Sequence, residues 1–478
     1  MKVTLIGTND KAGGAARAMF RLHQALLSKG IESRILCLNQ FAKGTDSINV
    51  FKYLPNLWAS RRYPFLSDLI ESQRTSLSNT LFSYSDIQTN LINHPLIHDA
   101  DVINLHWINY FVSPFDIGKL LKLRKRIVWT LHDEWPFTGG CHYTSGCNKY
   151  ITGCLDCVQV NSEIFSLPKL HYAEKENHFS SAIELVAPSK WLVEKAVRSP
   201  FFLNSRVKVI SNSIEPSWFA NGDRAEIRRK FGYDENCFLI GFGADSVYEK
   251  RKGLNYLIEA LTILLKNQKW NTAFTSKKIK VLFFGNYTKR DLYLDKYADY
   301  LGSFSNDNEI SEIYQMLDLF VIPSLEDNLP NTMLESMASG TPVLGFPVGG
   351  LAETIQNKLN GFLTELISGD SLAKEIFNLW SDPNLLKEVG RAAAKFAFEN
   401  FSMSKQAEEY IKFFSMKPVL KNEKNTFKIK LKERFEFDQT YSAYLKKASF
   451  RKKILNFLFK SVRVHDFILS ISEKKRST

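Results

Sequence analysis

Apolar and polar positions in the first 200 residues alternate between short apolar runs and segments with helical spacing. The run MKVTLIG (1–7) predicts a buried strand, a Gly13-Gly14 turn follows, and AARAMFRLHQALLSKG (15–30) predicts a helix that ends at Gly30. Further strands are predicted at ESRILCL (32–38), DVINLHW (101–107), RIVWTLHD (126–133) and IELVAPS (183–189). Such strand–helix alternation indicates a parallel sheet with helices on both faces.

A second alternating series begins near Val207. Strands are predicted at VKVISNS (207–213), CFLIGFGA (237–244), KIKVLFFGN (278–286), LFVIPS (319–324) and TPVLGF (341–346), with helices at 253–267, 308–317 and 331–339. We therefore expect an α/β protein with two tandem doubly wound domains, 1–205 and 206–400, which face each other across a cleft at the carboxyl ends of their strands. The irregular stretch 40–100 is predicted to be an insertion on the first domain, and 401–416 a closing helix.

The length of 478 residues agrees with two domains, and the apolar content of 44% and charged content of 24% are typical of folded soluble proteins. The first residues lack a secretory cleavage pattern, and no apolar run is long enough to span a bilayer, so we expect a cytoplasmic protein.

The net charge of +13 is concentrated in a tail. Residues 417–478 contain 17 Lys and Arg against 6 Asp and Glu, which leaves the rest of the chain near neutral and disfavours a nucleic-acid partner. Apolar residues recur at helical spacing between basic ones from Phe450 to Arg463, a pattern typical of helices that bind anionic membrane surfaces. A helix docked on its own domain and an RNA-binding tail are the alternatives. The membrane interpretation predicts a peripheral protein on the inner face of the cell membrane.

The loop after strand 319–324 carries the clearest chemistry. Its residues LEDNLP (325–330) lead into a helix whose free N–H groups suit phosphate or sugar hydroxyls. Asp327 in the loop and Glu335 on the helix can accept hydrogen bonds from vicinal hydroxyls, which sugars and ribose offer in pairs. We expect Asn328 and Leu329 of the same loop to contact the donor as well.

The segment SLEDNLPNTMLESMASGTPV (324–343) resembles the signature of the GT4-like retaining glycosyltransferases, which have the GT-B fold. Two acids separated by seven residues mark that signature, and here they map to Asp327 and Glu335. The resemblance implies that Asp327 contacts the donor sugar and that Glu335 binds the ribose hydroxyls. Asp327 stands where Glu is commoner, and the adjacent Glu326 is an alternative for that position. Two ordinary acids at a helix start are the competing interpretation.

In the same family an Arg and a Lys near a second loop neutralise the donor diphosphate. In GFGADSVYEKRKG (241–253) Lys252 matches the Lys, whereas the usual Arg position is Ser246, so Arg251 or Lys250 is expected to compensate. The chemistry requires a cation because the departing nucleotide diphosphate gains charge. A solvated basic turn is the alternative.

Three features of the first domain also match the family. Gly13 and Gly14 resemble the glycine-rich loop beneath the donor phosphates, and Arg17 on the following helical turn is placed to face the cleft. His132, at the end of strand 126–133, matches a histidine that reaches the donor sugar. His106 at another strand end is the second candidate, and a purely structural histidine is the alternative for it.

Four cysteines cluster after this histidine: Cys141, Cys147, Cys154 and Cys157, with His142 beside the first. Four thiolates with one C-x-x-C pair predict a structural zinc site. Free or partly buried thiols are the main alternative, and an iron–sulfur cluster is another.

The resemblance implies transfer of a sugar from a nucleoside-diphosphate-sugar to a glycan or lipid-linked acceptor, with retention at the anomeric carbon, in cell-surface polysaccharide synthesis. No cofactor or divalent ion is required for catalysis, since Lys252 and helix N-termini can cover the diphosphate. A same-fold epimerase or phosphorylase and a non-catalytic nucleotide-sugar-binding scaffold are the alternatives.

Overall fold

The computed structural model describes residues 1–54, 67–68, 70–85, 89–161, 167–219, 222–287, 294–304 and 306–419. The predicted amphipathic tail helix lies outside the described residues, as does part of the predicted insertion.

In the described residues the first domain is built on a seven-stranded parallel sheet with strand order β3-β2-β1-β4-β5-β6-β7. Its strands are β1 (Lys2–Asn9), β2 (Glu32–Asn39), β3 (Val50–Lys52), β4 (Val102–Leu105), β5 (Arg126–Thr130), β6 (Ile183–Ala187) and β7 (Val207–Val209). Leu105 of β4 lies opposite Trp129 of β5, so these two strands end side by side at the same edge of the sheet.

The second domain contains a six-stranded parallel sheet, counted over the described part of the chain, with strand order β10-β9-β8-β11-β12-β13. Its strands are β8 (Phe238–Ser246), β9 (Ile279–Asn286), β10 (Asp299–Gly302), β11 (Leu319–Ile322), β12 (Val343–Gly345) and β13 (Phe362–Leu363). Two parallel-sheet α/β domains confirm the predicted fold class. One strand is placed differently from the prediction: β7 was expected in the second series, but it pairs with β6 in the first sheet.

Helices cover both sheets. Those of the first domain are α1 (Gly14–Ser28), α2 (Pro95–Asp99), α3 (Pro114–Lys122), α4 (Leu167–His178) and α5 (Lys190–Val197). The second series comprises α6 (Arg224–Lys230), α7 (Leu254–Leu264), α8 (Gln268–Thr275), α9 (Asp307–Met316), α10 (Asn331–Ala338), α11 (Gly349–Thr354), α12 (Gly369–Trp380), α13 (Pro383–Phe401) and α14 (Met403–Ser415). Among the described helices, none has the length and apolar character needed to cross a bilayer.

The closing helix α14 returns to the first domain. Its buried face, Tyr410, Phe413 and Phe414, follows helical spacing and packs in one cluster with first-domain residues such as Leu5. Arg126 of β5 donates hydrogen bonds to the carbonyls of Phe414 at 2.8 Å and Met416 at 2.7 Å. This helix therefore ties the second domain back to the first sheet.

Candidate active site

Glu335 on α10 faces two arginines of the first helix across the cleft. Its carboxylate lies 3.3 Å from Arg21 and 3.8 Å from Arg17, and the Tyr314 hydroxyl donates to it at 3.4 Å. Arg17 and Arg21 share one face of α1 because they are four residues apart. Burial raises the pKa of Glu335, although both arginines oppose that rise. The helix start of one domain thus holds an acid that the other domain partly neutralises.

Asp327 and Lys252 form the second charged pair. The Lys252 ammonium donates to Asp327 at 2.6 Å, and Ser324 donates to the same carboxylate oxygen at 3.2 Å. Burial alone would raise the pKa of Asp327, but Lys252 and Arg251 outweigh it and hold the pKa below its ordinary value. The turn that carries Lys252 fits closely against the end of β11. Gly253 has φ of 72°, and a Cβ there would collide with the Pro323 carbonyl.

A cavity of about 770 Å³ opens between the two domains, and its lining includes Glu335 and Arg17 but neither Lys252 nor Asp327. It is lined from the first domain by Gly13, Gly14 and Arg17, and from the second domain by Asn331, Thr332 and Glu335, among others. The Asn331 amide donates to the Gly14 carbonyl at 3.0 Å, so the glycine turn contacts the N-terminus of α10 directly. The two glycines also line a second cavity of about 330 Å³ that reaches His106.

The two histidine candidates of the first domain meet at the neighbouring ends of β4 and β5. His132 Nε2 lies 2.9 Å from His106 Nδ1, and the rings stack with centroids 5.2 Å apart. His106 Nε2 in turn lies 3.0 Å from the Asn104 side-chain oxygen. Burial lowers the pKa of both histidines, that of His132 to about 4, so both are neutral at pH 7.

Comparison with known proteins relates these features to a protein family. Residues 223–396, which include Lys252, Asp327 and Glu335, match the family described as glycosyl transferases group 1. The second domain thus carries the match to the group 1 glycosyltransferases, and the chain is similar to glycosyltransferases over a longer stretch. It is 28% identical over 262 residues to an uncharacterized glycosyltransferase, MJ1607, of Methanocaldococcus jannaschii, a match that covers 52% of this chain and 63% of that protein.

Two further comparisons span most of the chain. It is 22% identical over 427 residues to the putative colanic acid biosynthesis glycosyl transferase WcaC of Escherichia coli K12, over 84% of this chain and 96% of that one. Anabaena Alr3699/HepE, solved in complex with UDP and with UDP-glucose, is similar in structure with a TM-score of 0.55 and 17% identity. The match with the UDP complex covers 87% of this chain and 100% of that one. This likeness shows a shared fold.

The two cations expected to replace the family arginine contact other parts of the protein, and Arg251 also lies 3.4 Å from the Asp327 carboxylate. Arg251 forms an ion pair with Glu249 at 2.9 Å and packs 3.9 Å from the ring centre of Tyr143. Lys250 is exposed, and its backbone N–H donates to Asn79 at 2.8 Å. The first-domain residue Arg17 lies in the large cavity instead. The compensating cation expected at 250 or 251 stays a prediction, and Arg17 on α1 places a further cation on the opposite side of the cleft.

The remaining loop residues of the predicted donor site contact the protein itself. Glu326 forms an ion pair with Lys195 at 2.7 Å and accepts a hydrogen bond from the Ser145 N–H at 2.9 Å. Asn328 accepts from Ser189 at 2.6 Å, and Leu329 is buried in the core of the second domain. Of the two acids at 326 and 327, the one paired with Lys252 is Asp327.

The cysteine cluster does not assemble into a recognisable metal centre. Among the described His, Cys, Asp and Glu side chains, no group of three or more is arranged to hold a metal ion. Burial raises the pKa of Cys154 to about 12 and also raises that of Cys141 and Cys157. The zinc site predicted at Cys141, Cys147, Cys154 and Cys157 stays a prediction, which metal analysis of the purified chain would test.

Several residues of the site were not predicted from the sequence. Arg21 is 1% exposed and lies 2.7 Å from Glu215 as well as near Glu335. Lys195 joins the fully buried Glu134 at 2.6 Å to Glu326 of the second domain. A signal for Arg21 was present, since it is a charged residue on the apolar face of a predicted helix, where an ionic partner is needed.

Proposed function

We propose that this transferase moves a sugar from a nucleoside-diphosphate-sugar to a glycan or lipid-linked acceptor, with retention of the anomeric configuration, in polysaccharide synthesis. The observation that carries the proposal is the large cavity between the domains, which Gly13, Gly14, Arg17 and Glu335 line. A nucleoside diphosphate needs a hydroxyl acceptor for its ribose and cations for its phosphates, and both are present in that cavity. The UDP and UDP-glucose bound to HepE and the name of WcaC support the ligand class and the process.

In this proposal Glu335 accepts hydrogen bonds from the ribose hydroxyls. Arg21 stays in place as its buried counter-ion, because Glu215 also holds it at 2.7 Å. Arg17 has 23% of its side chain exposed, and it would turn towards a donor phosphate from Asp307 at 3.1 Å and Glu335 at 3.8 Å. The site would thus exchange an arginine–glutamate contact for an arginine–phosphate contact when the donor binds.

Lys252 stabilises the departing diphosphate, and Asp327 both orients Lys252 and accepts a hydrogen bond from the donor sugar. The bond between the anomeric carbon and the diphosphate oxygen breaks as the acceptor oxygen bonds to the same face of that carbon. The acceptor proton passes to the departing phosphate. The protein contributes orientation and charge stabilisation, and no divalent ion takes part.

The lipid-linked acceptor and the location on the inner face of the cell membrane rest on the sequence of the basic tail alone. Vesicles containing phosphatidylglycerol should bind the full chain and should bind it much less when residues 417–478 are removed. Equal binding by both chains would contradict the membrane role.

Activity is tested with the purified full chain, UDP-, GDP-, ADP- and CMP-sugars and a membrane extract, with nucleotide release as the signal. The anomeric coupling constant of the product, measured by proton NMR, distinguishes retention from inversion. Absence of release with every donor, from protein that circular dichroism shows to be folded, would overturn the proposal.

A further inference from the structure

A line of polar side chains runs through the first sheet from the closing helix to the cleft. The Tyr410 hydroxyl lies 3.0 Å from Thr130 Oγ1, which in turn lies 3.0 Å from the side-chain nitrogen of Asn104. His106 and His132 continue the line, as described above. Tyr410, Thr130, Asn104 and His106 are each buried, whereas His132 is only half-buried. His132 is therefore the most exposed member of this line, while His106 borders the cavity of about 330 Å³ between the domains.

The orientation of Asn104 follows from its neighbours. Its side-chain nitrogen lies 3.1 Å from the carbonyl oxygen of Val128, and a carbonyl oxygen only accepts hydrogen bonds. The NH₂ group must therefore point to Val128, and the amide oxygen must point to His106. Since that oxygen only accepts, His106 Nε2 must carry a proton.

The same reasoning fixes the tautomers of His106 and His132. A neutral His106 protonated at Nε2 has an unprotonated Nδ1, which accepts a hydrogen bond from His132 Nε2 at 2.9 Å. A neutral His132 that donates from Nε2 has an unprotonated Nδ1. That atom makes no hydrogen bond within the described part of the chain. The neighbouring carboxylate of Asp133 is already engaged by His142 at 2.6 Å and by Trp107 at 2.8 Å.

The resemblance already implies that His132 contacts the donor sugar, and we propose that Asn104 and His106 are positioning residues that hold His132 in the one tautomer whose Nδ1 accepts a hydrogen bond from a sugar hydroxyl. We call these three residues the Asn104–His132 relay. The sugar contact rests on the proposed function, whereas the tautomer does not. The relay ends beside the loop 325–330, because the Asn328 amide donates to the His132 carbonyl at 3.3 Å. A fixed acceptor selects donors with a hydroxyl at this point and disfavours those that lack one.

The tautomer is measured on the full chain labelled with ¹⁵N-histidine. Two-bond nitrogen–proton correlations distinguish protonated from unprotonated ring nitrogens, and His132→Gln and His106→Asn assign the signals among nine histidines. We expect both His106 and His132 to be protonated at Nε2. In Asn104→Leu and His106→Leu the His132 signal should shift to a mixture of tautomers, because its acceptor is no longer fixed. A proton on His132 Nδ1 in the unaltered protein would overturn the relay.

Binding of UDP-glucose and UDP, measured by calorimetry, tests the sugar contact. His106→Leu should weaken UDP-glucose binding about tenfold, the loss expected for one hydrogen bond, and leave UDP binding unchanged. His106→Asn should restore binding, because its amide oxygen can replace Nδ1 as the acceptor. Equal losses for UDP and UDP-glucose would mean a structural role and overturn the sugar contact. If UDP-glucose does not bind, the same comparison is made with GDP- and ADP-sugars; unaltered protein that binds none of them would overturn the proposed donor and, with it, the sugar contact, while the tautomers still decide whether the relay exists.

Discussion

One side of the cleft, around Lys252, Asp327 and Glu335, carries charged side chains from both domains, whereas the other side, at the ends of β4 and β5, carries neutral ones. Asp327 and Lys252 are an ion pair, and Glu335 is balanced by arginines from α1. His106 and His132 are neutral, and hydrogen bonds fix their geometry. A diphosphate is bound by charged groups, whereas a sugar hydroxyl is bound by an oriented hydrogen-bond acceptor. The two sides of the cleft therefore differ in the way a nucleotide-sugar differs between its two ends.

The largest expected effect is on stability and concerns the charged side. Arg21→Met should lower the free energy of unfolding by about 3–5 kcal/mol, because it leaves the buried carboxylate of Glu335 and the half-buried carboxylate of Glu215 without this counter-ion. Urea unfolding measures the loss. Arg17→Met is the matched control, since Arg17 lies on the same helix face but is partly exposed, and it should cost less than about 1 kcal/mol. Equal losses would mean that burial does not distinguish the two arginines.

The next effect separates two nearby lysines. Lys252→Ala should reduce nucleotide release about 100-fold, because the developing charge on the diphosphate loses its cation. Lys250→Ala should leave the rate within about twofold, since that exposed side chain lies outside the charged pair. Initial rates with the active donor give the comparison. Full activity in Lys252→Ala would show that Lys252 does not take part in the reaction.

The neutral histidines should make the free energy of unfolding fall at acid pH. The pKa of His132 is lowered by burial from its ordinary value of 6.5 to about 4 in the folded chain, so the unfolded chain binds the additional proton as the pH falls through that window. Stability present above pH 6.5 is therefore lost towards pH 4, by up to about 3 kcal/mol. His132→Gln should lose less stability than the unaltered protein over the same range. Identical pH profiles of urea unfolding would contradict a neutral His132.

The smallest expected effect concerns the ion pair of Lys195 and Glu326, which joins the two domains. A double-mutant cycle of Glu326→Gln and Lys195→Met should show a coupling of about fivefold in kcat/KM, or about 1 kcal/mol. The pair is mostly buried and crosses the cleft, with N and O atoms 2.7 Å apart. Strictly additive effects would mean that this ion pair does not influence how the two domains are held together during turnover.

The long, regular elements could be predicted from the sequence, and the short edge strands could not. Helix α1 was expected over 15–30 and spans Gly14–Ser28. The edge strands β3 and β13 contain three and two residues, too few to display a period. Strand β7 was assigned to the second series because chain order does not reveal to which sheet a strand hydrogen-bonds.

Sequence by itself determined the fold class, the family and the residues Asp327, Lys252 and Glu335 as site candidates, because periodicity and a compact local motif carry that information along the chain. Only the tertiary structure decided their partners. Arg21 and Glu335 are separated by 314 positions and Lys195 and Glu326 by 131, so no local pattern joins them. The Asn104–His132 relay depends on the parallel register of β4 and β5, which places two strand ends side by side. Hydrogen-bond direction is a property of that arrangement, and it exists only once the sheet has formed.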